Sequence, residues 1–394
     1  MMSLNKNIDV TIVTSVMMAD GISRQGVGII NCIGNDLKIN ALQCPPCVYK
    51  EIPKEVLNIL VKPFDGFGKV TFWTYILGLN ESIIKTHEAI SSPIKIAYSM
   101  FESDAIPKLW TNILNKYYDM VVVPDKYLVQ VYKNSGVNIP IFVIPLGIMV
   151  ENLLLRPTKT KVNDPFTFGM SAGFWSRKGH IELLEAFSKK FGNDPKFKLK
   201  LHGRFGPYRS NIENAIKKAN LNNVEFLSNP LSSLDYDNFM DSIDCYVYPS
   251  MGEGFSITPR EILALGKPCI LSNNSCHKTI CNSGFVIPLV SNIKIPAVYE
   301  VFGNQTIGNY YKNNINDLSN LMVKVSDNYD EYLAKAQGGR EWVKQYLWPN
   351  LKPIYLNLFK PTSIELGTDN YIDSNTFRTN NKTLFNKIKT EFSL

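Results

Sequence analysis

The chain has 394 residues, of which 45% are hydrophobic and 20% are charged, and its formal net charge is +7. This length predicts two domains, and the composition is that of a globular protein with apolar cores rather than a disordered chain. No apolar run reaches the roughly 18 residues of a membrane-spanning helix, and the N-terminus lacks a secretory signal pattern, so we expect a cytoplasmic protein.

The first 147 residues alternate between apolar runs and helical stretches. Ile8–Thr14 is typical of a buried strand, Asp20–Gly28 is a glycine-bearing loop, and a helix is expected to continue to about Leu37. Further strands are predicted at Val70–Trp73, Ile94–Tyr98, Met120–Val123 and Ile141–Ile144, with helices at Ala105–Lys116 and Lys126–Asn134. This alternation predicts an α/β domain with a parallel sheet over residues 1–147.

The pattern stops over residues 148–164, which we interpret as a linker, and restarts in a second α/β domain over 165–340. Strands are predicted at Phe166–Met170, Lys198–His202, Val224–Leu227, at the end of Asp241–Tyr248, and at Pro268–Leu271. Helices are predicted at Ile181–Phe191, Ile212–Ala219 and Thr258–Leu265. Both halves therefore have the strand-and-helix alternation of a Rossmann-like fold.

The C-terminal region divides into a helical part, 341–360, and a polar tail, 361–394. The aromatic helical stretch Tyr332–Phe359 is expected to be interrupted at Pro349 and Pro353. Within the tail, Thr383–Leu394 places apolar residues at helical spacing near several lysines. This segment could form a weak interfacial helix or dock on the first domain, so any membrane contact is expected to be peripheral.

Most of the excess positive charge lies after residue 150. Such an excess suits an anionic ligand, a membrane surface or nucleic acid. The sequence contains no helix-turn-helix, zinc-finger or RNP motif, so nucleic acid ranks last among these partners.

The segment Tyr248–Glu261 (YPSMGEGFSITPRE) combines a strand end, a glycine loop and a helix start. Ligands bind at the carboxyl ends of strands in open α/β sheets, and a helix N-terminus there suits a phosphate. Gly252 and Gly254 would let the backbone approach such a ligand. Glu253 and Glu261 could accept hydrogen bonds from sugar or ribose hydroxyls, although Glu253 could also be an ordinary loop carboxylate.

Glu261 has an alternative interpretation as part of the helix start. Thr258-Pro-Arg-Glu261 fits a capping box, with Thr258 at the N-cap, Pro259 at the first helical position and Glu261 at the third. Local capping and ligand binding both remain open for Glu261 on the sequence alone.

Glu253-x7-Glu261 within this segment, followed by Ala264-Leu-Gly-Lys-Pro268, resembles the signature of glycosyltransferase family 4. Further resemblances occur in the family's chain order over roughly residues 8–360: Gly21–Arg24, Val143–Gly147, Gly173–Gly179, Leu199–Gly203 and Glu341–Tyr355. The resemblance implies the GT-B architecture, in which two Rossmann-like domains enclose a deep interdomain cleft. It also implies a retaining, metal-independent glycosyltransferase without a cofactor.

The resemblance assigns roles to residues of the second domain. It implies that Glu253 contacts the donor sugar, that Glu261 holds the ribose, and that Arg177 and Lys178 bind the donor diphosphate. The backbone amides of Gly254–Ser256, which include that of Phe255, would contact the donor. The nucleoside-diphosphate sugar would carry UDP or GDP, and its sugar would go to a hydroxyl on a glycan, lipid-linked or protein-linked acceptor, as in glycan biosynthesis.

Two further glycines and one carboxylate complete the implied site. Gly21 matches the N-terminal loop that faces the donor, and Gly203 matches the turn near the nucleoside. Many relatives carry a histidine after the strand that corresponds to Ile94–Tyr98, where this chain has a Met-Phe-Glu stretch. Glu102 is therefore the acceptor-side candidate, with a plain helix N-terminal carboxylate as the alternative. This chain also has Phe174 where many relatives have arginine, and Arg177 could supply the missing positive charge of that loop.

The cysteines and histidines give weaker signals. Cys44-Pro-Pro-Cys47 is a single CxxC pair, and the Cys276–Cys281 cluster lies far from it in sequence, so we expect thiols and no metal site. The four histidines are His87, His180, His202 and His277. We expect packed or surface side chains, with His202 the best candidate for the site because it ends a strand.

Three hypotheses follow from these patterns. The first is an active retaining glycosyltransferase, and the second is a non-catalytic homologue that binds a nucleotide or sugar. The third is an enzyme of another class on the same fold, such as a phosphorylase or epimerase. The joint presence of Glu253, Glu261, Arg177 and Lys178 favours the first, because a non-catalytic homologue need not keep all four.

Overall fold

A computed structural model of the chain describes residues 3–18 and 20–359. Contacts divide the chain into two compact units. The first consists of the described parts of Met1–Met149, Val298–Gly308 and Gln345–Leu394, and the second of Val150–Ala297 and Asn309–Lys344. The tail at 361–394, with its predicted segment Thr383–Leu394, lies outside the described residues. Within them, no helix is both long and apolar enough to cross a membrane.

The first unit contains a six-stranded parallel sheet in the order β2-β1-β3-β4-β5-β6. Its strands are β1 (Val10–Val16), β2 (Ile39–Cys47), β3 (Val70–Trp73), β4 (Ile94–Tyr98), β5 (Met120–Val123) and β6 (Ile141–Val143). Its helices up to residue 149 are α1 (Gly21–Ile33), α2 (Lys54–Leu60), α3 (Ile84–Glu88), α4 (Lys108–Tyr117) and α5 (Lys126–Asn134). The direction of strand addition reverses between β1 and β3, and ligands bind at such a point in open sheets.

The second unit contains a six-stranded parallel sheet in the order β12-β11-β10-β7-β8-β9. Its strands are β7 (Phe166–Ser171), β8 (Phe197–His202), β9 (Val224–Leu227), β10 (Cys245–Tyr248), β11 (Cys269–Asn273) and β12 (Ile287–Val290). Counted from β7, this is the 3-2-1-4-5-6 Rossmann order, so the reversal lies between β7 and β10. All residues of β7 and β10 are buried, as expected for the central strands of a parallel sheet that is covered on both faces.

Nine α-helices accompany this sheet among the described residues: α6 (Glu151–Leu154), α7 (His180–Lys190), α8 (Arg209–Ala219), α9 (Ser233–Asp241), α10 (Ile257–Ala264), α11 (His277–Cys281), α12 (Ile315–Asp327), α13 (Tyr329–Gln337) and α14 (Gly339–Trp342). A separate two-stranded sheet pairs β13 (Ile293–Tyr299) with β14 (Gln305–Lys312). Residues 298–308 of this hairpin belong to the first unit, where the Tyr299 ring lies 4.8 Å from that of Phe101.

The last described helix, α15 (Trp348–Phe359), belongs to the first unit and packs on α1. A Cβ added at Gly28 or Gly147 would lie within 2.5 Å of the Trp348 ring, so these positions require glycine. Gln25 Nε2 donates to the Tyr355 hydroxyl at 2.6 Å. The Trp348 contact explains why position 28 of α1, where alanine would otherwise be favoured, is a glycine.

The structure differs from the sequence predictions at three of these elements. Residues Asp20–Gly28, predicted as a loop, are the N-cap and the first part of α1, which ends at Ile33 rather than near Leu37. The expected interruption of the C-terminal helix does not occur at Pro349 or Pro353, because α15 begins at Trp348 and includes both. Pro349 lies in the first turn, where a missing N–H costs nothing. Residues 39–47, which have no clear strand pattern in the sequence, form β2. Because β2 is an edge strand whose second half is exposed, Pro45 and Pro46 fit it without breaking a central ladder.

Candidate active site

Of the four charged residues predicted for the donor, three lie in two loops at the switch point of the second sheet. The fourth, Glu261, lies in the helix α10. The loop after β7 contains a single 3-10 turn, Ser176–Lys178, and the loop after β10 contains Glu253. The Met251 amide donates to the Arg177 carbonyl at 2.8 Å, which ties the two loops together. Gly179 has φ +84°, and a Cβ there would lie 2.5 Å from the Pro249 carbonyl oxygen. A glycine at 179 is therefore required both by the backbone conformation and by the close approach.

Glu253 is the centre of the polar cluster, and it is only 5% exposed. Its Oε1 accepts hydrogen bonds from four groups: Lys178 Nζ at 2.6 Å, the Tyr248 hydroxyl at 2.7 Å, the Ser250 hydroxyl at 2.7 Å and Arg177 Nη1 at 3.1 Å. A buried carboxylate needs such partners, since an uncompensated buried charge is strongly destabilising. The predicted residues Glu253, Arg177 and Lys178 are thus brought together in one cluster.

The charges of this cluster determine its protonation. Burial would raise the pKa of the Glu253 carboxyl, but Lys178 and Arg177 outweigh burial and hold that pKa well below its usual range. Burial, with the Glu253 charge next in size, raises the pKa of the Tyr248 hydroxyl well above its ordinary value. At neutral pH the cluster therefore contains a carboxylate, two cations and a neutral phenol.

The helix α10 begins directly after this loop, at the carboxyl edge of β10. Its N-cap is Ser256, which has φ +70° and whose side chain makes no capping bond. The Ser256 hydroxyl lies 2.6 Å from Nε2 of His277 instead. Arg260, fully buried, donates through Nη1 to the carbonyls of Phe255 and Ser256, and its guanidinium lies 3.7 Å from the centre of the Phe255 ring.

The capping interpretation of Glu261 was wrong. Because Ser256 is the N-cap, Thr258 and Pro259 lie inside the first turn and Glu261 lies beyond it. Glu261 is 6% exposed, and its Oε2 accepts a hydrogen bond from the Tyr236 hydroxyl at 2.8 Å. The hydrogen bond from Tyr236, rather than capping, therefore holds the Glu261 carboxylate in place. The ribose-binding role of Glu261 remains a prediction.

Gly203 and Phe174 lie at the ends of β8 and β7, beside the same edge of the sheet. A Cβ at Gly203 would lie 2.4 Å from the Ala172 carbonyl oxygen and from the Phe174 ring. Phe174 is fully buried and packs 5.5 Å from the rings of His180 and Phe226. Phe174 is therefore a core residue, and the cationic groups of this loop are Arg177 and Lys178.

Gly21 and Glu102 belong to the first unit. Gly21 is the first residue of α1, directly after the N-cap Asp20, whose carboxylate accepts the Ser23 amide at 3.0 Å. Glu102 is half-buried in the loop after β4. Both lie at carboxyl ends of strands in their own sheet, and their proposed roles toward donor and acceptor remain predictions.

The described residues contain no group of three or more histidine, cysteine, aspartate or glutamate side chains that could hold a metal ion. All seven cysteines are thiols. The four histidines are buried rather than surface residues: His87, His180, His202 and His277. His202 Nδ1 lies 2.8 Å from the Ser171 hydroxyl, so this strand-end histidine is held by the second sheet itself.

Sequence reasoning missed the partners that fix Glu253 and the loop before α10. The motif alone gives no role to Tyr248 or Ser250, and it indicates only a capping-box position for Arg260. His277 has two cysteines as its sequence neighbours and no link to the Glu253 segment. The usable signal was the concentration of polar residues directly after β10 and β11, since neighbouring parallel strands end at the same edge.

The two sheets and the buried anion–cation cluster define a two-domain α/β protein whose second unit has the Rossmann strand order. Comparison supports that class. Residues 154–287, about a third of the chain, match the family model described as glycosyl transferases group 1. An uncharacterized glycosyltransferase of Methanocaldococcus jannaschii is 27% identical over 184 residues, which span 46% of this chain and 45% of that relative. Residues 154–287 are thus similar to the group 1 glycosyltransferases.

Solved structures of similar fold extend over both units. HepE of Anabaena, in complex with UDP-glucose, has a TM-score of 0.67 at 12% identity and covers 89% of this chain and 98% of its own. Sucrose-phosphate synthase of Thermosynechococcus elongatus has a TM-score of 0.64 at 16% identity, with 89% and 98% covered. The predicted α/β fold of two Rossmann-like domains, the GT-B fold, is confirmed.

Proposed function

We propose that this chain is a glycosyltransferase that moves a sugar from a nucleoside-diphosphate sugar to a hydroxyl acceptor. The observation that carries the proposal is the buried Glu253 carboxylate, bonded to Lys178 and Arg177 at the switch point of the second sheet. The group 1 family match over residues 154–287 includes all three residues. The UDP-glucose held by the similar structure of HepE supports UDP as the nucleotide, with GDP as the alternative.

The reaction explains why cations are needed beside this carboxylate. Departure of a nucleoside diphosphate leaves negative charge on its terminal phosphate, and preorganised cations and dipoles lower that barrier. Lys178 and Arg177 would bind the diphosphate, while the α10 N-terminus and the amides of Gly254–Ser256 would contribute further donors. Among the described residues, the Gly254 and Ser256 amides have no hydrogen-bond acceptor, which suits such a role.

The two glutamates would bind opposite ends of the donor. Glu253 would turn its carboxylate to the transferred sugar when the diphosphate takes over its cations, and Glu261 would accept the ribose hydroxyls beside Tyr236. Gly203 would let the backbone approach the nucleoside closely. Gly21, in the first unit, would do the same for the donor. Glu102 would act on the acceptor, which we take to be a glycan, lipid-linked or protein-linked hydroxyl.

Retention of anomeric configuration and independence from metal are further parts of the proposal. Two cations and a helix N-terminus supply charge that a metal ion would otherwise supply. We therefore expect activity to survive EDTA without any gain from Mg²⁺ or Mn²⁺. Activity that is lost with EDTA and restored by either ion would contradict this expectation, and NMR of the first product formed would report its anomeric configuration.

The central experiment is a thermal-shift screen of UDP-, GDP- and ADP-sugars, followed by incubation with the donor that stabilises most. A ligand that binds only the folded state raises the unfolding temperature with its concentration. We expect stabilisation by one nucleotide class and slow release of nucleoside diphosphate even without acceptor. Stabilisation without any release or transfer would favour the alternative, a non-catalytic homologue that binds the nucleotide sugar, and no stabilisation by any donor would overturn the proposal.

A further inference from the structure

Ser256 adopts a backbone conformation that serine rarely adopts. Its φ is +70° and its ψ is 94°, at the junction between the Glu253 loop and α10. A non-glycine residue in such a region stores strain of about 1–3 kcal/mol, and it persists only where surrounding contacts enforce it. Local contacts to its side chain and to its carbonyl must therefore hold Ser256 in place.

The carbonyl of Ser256 is held from within α10. Arg260 Nη1 donates to it at 2.9 Å and also to the preceding carbonyl of Phe255. Burial and stacking on the Phe255 ring fix the position of the Arg260 guanidinium. Its two hydrogen bonds therefore fix the direction of both carbonyls. Arg260 thus fixes the carbonyl of Ser256 but makes no hydrogen bond with its hydroxyl that would fix the side chain.

The hydroxyl of Ser256 is held by His277, which is fully buried at the start of α11. The other ring nitrogen, Nδ1, lies 3.2 Å from the Ser272 carbonyl and 3.1 Å from the Ser272 hydroxyl. That hydroxyl donates its one proton to the Ser250 carbonyl at 2.5 Å, so it cannot donate to the ring. Nδ1 therefore carries the proton, and Nε2 accepts the hydrogen bond from Ser256.

We propose that His277 is a positioning residue for the donor. Its Nε2 accepts the Ser256 hydroxyl and so maintains the positive φ that sets the direction of the Gly254–Ser256 amides. The inference rests on the proposed function, because those amides are assigned to the donor. It adds a residue outside the Glu253–Glu261 segment, on the neighbouring strand-to-helix connection, that acts through Ser256. The His277 ring also lies 5.4 Å from the ring of Tyr248, so the S256G background is needed to isolate the part that passes through Ser256.

Substitutions at Ser256 separate anchoring from simple packing. Alanine keeps the strain of a positive φ and loses the anchor, whereas glycine removes the strain. We expect S256A to raise the Kd for the nucleoside diphosphate about tenfold, and S256G to raise it clearly less than S256A. Isothermal titration of the full chain with UDP, GDP and ADP measures these constants, with the tightest of the three used as the probe.

Substitution of His277 then tests the coupling. We expect H277F to raise the Kd about tenfold in the wild-type background and less than about twofold in the S256G background. H277Q, which keeps an acceptor near the position of Nε2, should bind the probe more tightly than H277F. The matched control is H87F in the first unit, which removes a ring of similar burial, bonded to Tyr118 and to the Leu77 carbonyl. H87F should lower the unfolding temperature without changing the Kd.

Three outcomes would overturn the inference. They are a folded H277F protein that binds the probe as tightly as wild type, an equal loss from H277F in both backgrounds, and S256G binding no better than S256A. The last comparison decides the matter if H277F does not fold. Failure of the wild-type chain to bind UDP, GDP or ADP would instead overturn the proposed function, so the two failures are distinguishable.

Discussion

At the scale of single residues, the site depends on one carboxylate oxygen that accepts four hydrogen bonds. Glu253 Oε1 receives the bonds of Lys178, Arg177, Tyr248 and Ser250, and the cations keep the carboxyl ionised. In the proposed function, this arrangement holds both cations in place before the donor diphosphate binds. Preorganisation of this kind reduces the reorganisation needed at the moment of reaction.

The first prediction concerns the charge of Glu253. The E253Q substitution keeps the size of the side chain and an oxygen acceptor, so the fold should persist. It removes the negative charge proposed to act on the donor sugar, and we expect the transfer rate to fall by a factor of about 100 or more. Initial rates with a saturating donor, together with circular dichroism, measure the two effects. Turnover near that of wild type would contradict the role assigned to Glu253.

The second prediction concerns the two cations. R177A and K178A should each weaken binding of the nucleoside diphosphate as well as catalysis, because each removes a charge-assisted donor from a buried site. Each variant also leaves Glu253 with one cation fewer, so some loss of stability is expected. Titration with UDP and GDP gives the binding effect directly. Wild-type affinity in both variants would mean that the diphosphate binds elsewhere.

At the scale of elements, the structure and the sequence place the N-cap of α10 at different residues, Ser256 and Thr258. A capping box at Thr258 would make T258A cost about 1 kcal/mol. Because Thr258 lies after the N-cap, we expect T258A to change the unfolding free energy by less than about 0.5 kcal/mol. The matched control is S232A, since the Ser232 hydroxyl accepts the Asp235 amide at 3.1 Å at the start of α9. Urea unfolding should place S232A, not T258A, near the cost of a lost cap.

The elements that could be predicted are those whose pattern is complete in the local sequence. The strands Val70–Trp73, Met120–Val123 and Val224–Leu227 have the predicted bounds, because short apolar runs between helices fix them. The N-cap of α10 could not be predicted, since Ser256 is stabilised by His277, 21 positions away. Likewise, Glu253 and Lys178 are 75 positions apart, and only the fold or a family resemblance joins them.

At the scale of the whole molecule, every histidine of the chain is buried and the pKa of each is lowered, with burial as the largest cause. The pKa falls to about 4 for His87, His202 and His277, and to about 3 for His180. An unfolded histidine titrates near 6.5. Between pH 6.5 and the folded pKa, the unfolded chain therefore binds more protons than the folded chain, so acid favours unfolding.

The last prediction follows from the division of these histidines between the units. Each group lowers the unfolding free energy by up to about 1.4 kcal/mol per pH unit as pH falls below 6.5. His87 lies in the first unit and the other three lie in the second, so the second unit should lose stability more steeply. Urea unfolding at pH 7 and pH 5, followed by hydrogen exchange of each unit, measures both slopes. H87F should flatten only the slope of the first unit, and equal stability at the two pH values would show that the histidines do not stay neutral in the folded chain.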